Sequence, residues 1–136
     1  MKYTMMVKLD SKSEAGRNYE AGMPPDQRLE AAMEKLVEKM AKSGALIDVG
    51  GLLPMAKGVR IGAAKGKLTV TDGPFIELKE IMGGYAILRA NTKEEALQMG
   101  RDFMQLHLDI LGPSYEGELE IRQVFDPADC SPASEE

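Results

Sequence analysis

Glu77, Lys79 and Glu80 put three charges within four residues, in a stretch where a simple connection would need none. If that stretch is extended, the two-residue spacing points Glu77 and Lys79 to the same side. Facing a pocket, Glu77 could move a proton while Lys79 held an anionic group. Facing water or a second subunit, the same residues form an ion-pair cluster. Asp72-Gly73-Pro74 lies just upstream and has turn chemistry: an Asp side chain bonds local amides, Gly admits positive φ and Pro fixes the exit. The candidate catalytic groups are therefore Asp72, Glu77, Lys79 and Glu80.

A second constellation comes from strand alternation. Between Glu118 and Phe125, Leu119 and Ile121 alternate with Glu118, Glu120 and Arg122. If the two aliphatic residues point to the helices, then Glu120, Arg122 and Val124 point the other way, and the same alternation sends Lys8, Asp48, Tyr85 and Arg89 with them. Lys8, Asp48, Tyr85, Arg89, Glu120 and Arg122 are the candidate ligand-binding residues. Buried without partners, each charge would cost several kcal/mol, so these groups are paired, wet or bound to a ligand.

The elements that must position these residues follow from periodicity. Tyr3, Met5, Val7 and Leu9 alternate with polar neighbours and predict a first strand; residues 10–25 are polar and read as a loop. Leu29, Ala32, Met33, Leu36, Val37 and Met40 form one helical stripe, and Gly44 caps it. Ala45 to Leu53 predicts a second strand. Val59-Arg60-Ile61 and Leu68-Thr69-Val70-Thr71 flank the Gly62–Gly66 turn of a hairpin, and Gly84 to Ala90 gives a third principal strand. Thr92 and Glu95 make a capping box for a second helix, whose stripe runs Ala96, Met99, Gly100, Phe103, Met104 and His107 before Gly112-Pro113 stops it. The order is strand, helix, strand, hairpin, strand, helix, strand. That is an α+β fold, a ferredoxin-like split βαβ with an antiparallel sheet, two helices on one face and an inserted β-hairpin. Two helices cover one sheet face only, so the other meets water, a partner or a ligand.

Composition narrows the class. The chain has 136 residues, enough for one domain, expected over residues 1–126 with 127–136 as a disordered tail. It is 43% hydrophobic with a net charge of −5, so it buries a real core and is repelled by phosphate backbones and anionic lipids; no nucleic-acid or membrane partner is expected. No stretch approaches the roughly 18 apolar residues of a membrane span, and no leader is evident, which predicts a cytoplasmic protein. One cysteine, Cys130, and one histidine, His107, exclude a disulfide framework and a multi-imidazole metal centre. Cys130 reads as an inert thiol, and His107 as a boundary residue bonded to the C-terminal carbonyls of its helix. Between Val49 and Thr71 there are four bases, Lys57, Arg60, Lys65 and Lys67, and no acid; without interleaved aromatics this suits a lysine-guarded edge better than a nucleic-acid surface. No metal site and no cofactor motif is found.

The run Val70-Thr71-Asp72-Gly73-Pro74-Phe75-Ile76-Glu77-Leu78-Lys79-Glu80-Ile81-Met82-Gly83-Gly84-Tyr85 resembles the signature of the DGPF subgroup of YCII-related proteins. The flanking strand and helix order extends the likeness over most of residues 2–126. The resemblance implies a subunit that pairs into a dimeric α+β barrel. It implies little about the reaction: some members of the wider superfamily act on cyclic or chlorinated aromatic breakdown products, and genes of the subgroup often accompany extracytoplasmic-function sigma factors. Some YCII-related proteins carry a candidate acid–base pair with a histidine on the first helix, whereas the stripe here has Met33 and no histidine before residue 107. Two functions follow as expectations. One is a homodimer binding a small polar or anionic molecule at the sheet face, with room for lyase- or isomerase-like acid–base chemistry. The other is a non-enzymatic interaction or regulatory protein linked to a sigma factor.

Overall fold

The computed structural model describes residues 1–75 and 79–127. Its main sheet has four antiparallel strands: β1 (Lys2–Asp10), β2 (Leu46–Gly51), β5 (Glu80–Arg89) and β6 (Glu118–Gln123), in the order β2-β5-β1-β6. That is the strand order of a ferredoxin-like split βαβ. The hairpin between β2 and β5, β3 (Val59–Ala64) with β4 (Lys67–Asp72), forms a separate two-stranded sheet. Three helices complete the chain, α1 (Glu14–Glu20), α2 (Gln27–Lys42) and α3 (Lys93–Leu111).

The two long helices follow their apolar stripes. Leu29 is buried and Ala32, Met33, Leu36, Val37 and Met40 are half-buried, while the intervening charged residues of α2 face water. At α3 the Thr92 hydroxyl accepts from the Glu95 amide at 3.1 Å, and the Glu95 carboxylate accepts from the Asn91 amide at 3.1 Å, so the box closes one residue before the cap. Gly112, at φ 87°, ends the helix. The core lies between these helices and one sheet face, where Met5, Ala86 and Leu88 meet Met40, Leu46, Met99, Leu119 and Ile121, and Tyr3 meets Ala90 and Ala96. A Cβ on Gly100 would stand 2.8 Å from Ile121 Cδ1, which marks where α3 comes closest to the sheet.

Four sequence expectations need correction. Residues 10–25 hold α1 instead of a loop. Its cap, Ser13, accepts from the Gly16 amide at 3.0 Å and donates to the Asp10 carbonyl at 2.7 Å. A Cβ on Gly16 would lie 2.0 Å from that same carbonyl oxygen, so only glycine lets the helix sit against the end of β1. Second, the hairpin turn is two residues, Lys65 (φ 52°) and Gly66 (φ 76°), the primed geometry that matches strand twist, not the five-residue Gly62–Gly66 turn. Third, Gly73 is not among the residues at positive φ. Glycine is required there because a Cβ would fall 1.7 Å from the Met55 carbonyl oxygen. Fourth, His107 does not reach the C-terminal carbonyls of α3; its Nδ1 bonds the Phe103 carbonyl one turn back, at 2.9 Å.

Candidate functional site

The sheet face opposite the helices is built from ladder rows. Asp48, Ile87, Thr4 and Arg122 stand in one row, and Gly50, Tyr85, Met6 and Glu120 in the next. An irregularity between Val7 and Lys8 gives β5 one extra residue, after which Met82, Lys8 and Glu118 share a row. At the other end Lys2 lies directly opposite Arg89. All six candidate ligand residues, Lys8, Asp48, Tyr85, Arg89, Glu120 and Arg122, are thus on one face, with Arg89 at its end.

Charge is organised along this surface. Lys8 Nζ is 2.6 Å from Glu120 Oε1 and 3.5 Å from Glu80 Oε2, while Arg122 Nε meets the other Glu120 oxygen at 2.5 Å. The hydrogen bond from Lys8, followed by that from Arg122, holds the Glu120 carboxyl below the usual carboxylate range. The same bond to Glu120 raises the Lys8 ammonium against the opposing effect of burial. On the β2 side, Tyr85 Oη donates to Asp48 Oδ2 at 3.3 Å, and Asp48 Oδ1 accepts from the Val49 amide at 2.9 Å. Gly50 makes this reach possible, since a Cβ there would stand 2.9 Å from the Tyr85 ring. Between the two charged flanks, Thr4, Met6 and Ile87 form a half-buried, largely apolar floor.

The other candidates fare differently. Glu80 joins the Lys8 network from the first residue of β5. Lys79 is exposed, and its carbonyl accepts from the Ser11 amide at 2.8 Å. Asp72 is exposed at the end of β4, paired with Val59 in the ladder. Glu77 lies outside the described residues, as do Cys130 and the rest of the tail beyond residue 127. No cluster of metal-ligating side chains occurs among the described residues.

Sequence reasoning missed a brace at the foot of the hairpin. Tyr19 of α1 donates to the carbonyls of Leu52 and Leu53, the latter at 2.9 Å, and Glu20 accepts from the Met55 amide at 3.1 Å. Burial, and then the Glu20 charge, push the Tyr19 phenol up. The Gly73 amide donates to the Gly58 carbonyl at 3.0 Å, and Arg60 lies 4.3 Å over the ring of buried Phe75. The spacing from Ser13 to Gly16 was the available signal for α1. A cleft of about 540 Å³ lies elsewhere, between α1 and the loop after α3, where Asp10, Lys12, Glu14, Asn18, Tyr115 and Glu116 line it. None of the nine candidates among the described residues lines that cleft, and its charges are mostly acidic. The chemistry-bearing set therefore sits on an open face, not in a preformed cavity.

Fold and site together define an α+β chain with one helix-covered and one open, polar-flanked sheet face. The family model for the YCII-related domain matches residues 1–105, and the chain belongs to that family. An uncharacterised protein of Rhizobium meliloti (strain 1021) is 30% identical over 77 residues, which are 57% of this chain and 62% of that relative, so less than two thirds of the relative is spanned. No helix among the described residues is long and apolar enough to cross a membrane.

Proposed function

We propose that this chain is a DGPF-type member of the family that works as a homodimer, closing its open sheet faces over a site for a small carboxylate or phenolate. The observation that carries the reading is the row of cations at one end of that face. Lys2 and Arg89 are directly opposite one another, an arrangement that destabilises a ladder unless an anion lies between or above them. Arg122 is the diagonal neighbour of Lys2 and, among the described residues, spends only its Nε on Glu120, so both terminal nitrogens of its fork can take a carboxylate. The floor of Thr4, Met6 and Ile87 suits an apolar ligand body. The Tyr85–Asp48 pair beside it is where a proton could pass between a hydroxyl and a carboxylate.

Light scattering at micromolar concentration should give twice 14.9 kDa. A thermal-shift screen of small carboxylates and phenolates should find one that stabilises the wild type, by about 2.7 kcal/mol at a hundred times its Kd, and fails to stabilise Arg122→Ala. Lys79→Ala, at an exposed residue that precedes the strands of this face, should respond like wild type. A broad screen without a stabilising ligand, or equal stabilisation of Arg122→Ala, rejects the binding reading. It would favour an interaction protein whose sheet charges, already matched at Lys8, Glu120 and Arg122, merely specify pairing.

A further inference from the structure

Every residue from Lys57 to Asp72 is exposed, so β3 and β4 project from the body. Their ladder puts Val59, Ile61 and Ala63 beside Leu68 and Val70 on one face, with Asp72 opposite Val59 at its base, and Val59, Ile61, Leu68 and Val70 are 54–73% exposed. The other face carries Arg60, Lys67, Thr69 and Thr71, and the Arg60–Phe75 stack ties it back to the arm's own body. The apolar face is therefore turned outward. A two-stranded hairpin is at best marginally stable in water unless something covers it.

Charge and area say what the cover is. Residues 57–72 hold four bases, Lys57, Arg60, Lys65 and Lys67, against one acid, Asp72 at the base of the arm, and Lys57, Lys65 and Lys67 make no ion pair among the described residues. The complement of this arm is an acidic surface, which the rest of the same chain supplies. The open sheet face, four strands wide at ~4.8 Å and about six residues long at ~3.3 Å, covers roughly 400 Å². A stable dimer needs about 800 Å² from each partner. The flat projection of the sheet face is about half that figure, and the exposed apolar side of the hairpin is a further surface that can add to it.

We propose that the hairpin is an intersubunit arm: its Val59, Ile61, Leu68 and Val70 face lies on a second copy of this chain, and Lys65 and Lys67 at its tip meet that copy's carboxylates. The proposal rests on the homodimer reading above and specifies which surface holds the pair together. By two-fold symmetry each arm contact occurs twice.

Sedimentation equilibrium of the full chain tests it. Ile61→Asp combined with Val70→Asp should raise the dimer Kd at least about 100-fold while leaving far-UV circular dichroism unchanged, because both residues are exposed in the single chain. Lys65→Glu with Lys67→Glu should raise it about tenfold and flatten its salt dependence. Hydrogen exchange of wild-type amides in residues 59–72 should be slower in concentrated than in dilute protein, a readout that needs no substitution. A dimer indifferent to Ile61→Asp/Val70→Asp, or exchange independent of concentration, overturns the arm and leaves the dimer standing. A wild type that is monomeric at tens of micromolar overturns both, and retention of the arm by an anionic polymer instead would assign it to nucleic acid.

Discussion

A methyl group added at Gly73 would sit 1.7 Å from the Met55 carbonyl oxygen, where real Cβ contacts begin near 3 Å. The neighbour is backbone, held by the Glu20 carboxylate on the Met55 amide and by the Gly58 amide on the Met55 carbonyl at 2.9 Å, so it cannot swing aside. Relief requires a shift of more than an ångström between residues 55–58 and 73. Such overpacking costs about 1–3 kcal/mol. Losing the bond from the Gly73 amide to the Gly58 carbonyl adds about 1 kcal/mol. Gly73→Ala should therefore cost about 2–4 kcal/mol, roughly 6–15 °C in Tm for a chain of this size. Calorimetry or denaturant titration measures it, with Gly73→Asn as the control. Were a left-handed backbone the reason for glycine, Asn would be tolerated far better than Ala; because the reason is the Cβ itself, the two should be equally harmful. A midpoint within 1–2 °C of wild type for Gly73→Ala, or a clear rescue by Asn, would refute the reasoning.

Further outcomes follow from the same structure. His107 is buried between Phe103 (ring centroids 4.8 Å) and Tyr115 (5.1 Å), and burial lowers its pKa from 6.5. The unfolded chain then binds the proton first, so Tm should fall as pH drops below about 6.5, and His107→Gln should remove that slope. Glu120, held below its usual 4.5, contributes stability above that pH that is lost in more acidic solution; Glu120→Gln should flatten the acid limb of the stability curve, and salt should weaken the wild-type effect. Gly50→Ala should displace the Tyr85 ring and abolish any ligand response that depends on the Tyr85–Asp48 pair, while Tyr85→Phe changes stability by no more than about 0.5 kcal/mol. Truncation after Asp126 removes a stretch poor in apolar side chains and should leave Tm unchanged; a drop of several degrees would show that it docks.

Legibility in the sequence followed the physics of each element. The stripes of α2 and α3, and the Thr92 cap, were readable because burial repeats every turn and caps need particular side chains. Alternation also placed Lys8, Glu120 and Arg122 on a common face. It could not pair them: Lys8 and Glu120 are 112 residues apart, and their contact depends on ladder register. The helix α1 escaped because seven residues make too few turns for a stripe, and it is held by a close glycine approach and side-chain bonds to backbone. From the sequence, glycine at 73 reads as a need for positive φ; the actual cause, crowding by the remote Met55 carbonyl, leaves no local mark.

The brace formed by Tyr19 and Glu20 makes the hairpin a lever with a fixed fulcrum. Its strands are six residues long, about 20 Å from base to tip. A tilt of only 10° at residues 55–58 would swing the Lys65-Gly66 turn by about 3.5 Å, more than the length of a hydrogen bond. A contact made at the tip is thus aimed from α1, on the far side of the fulcrum. If the hairpin is an intersubunit arm, the Tyr19 bonds to Leu52 and Leu53 at its foot set where its tip arrives.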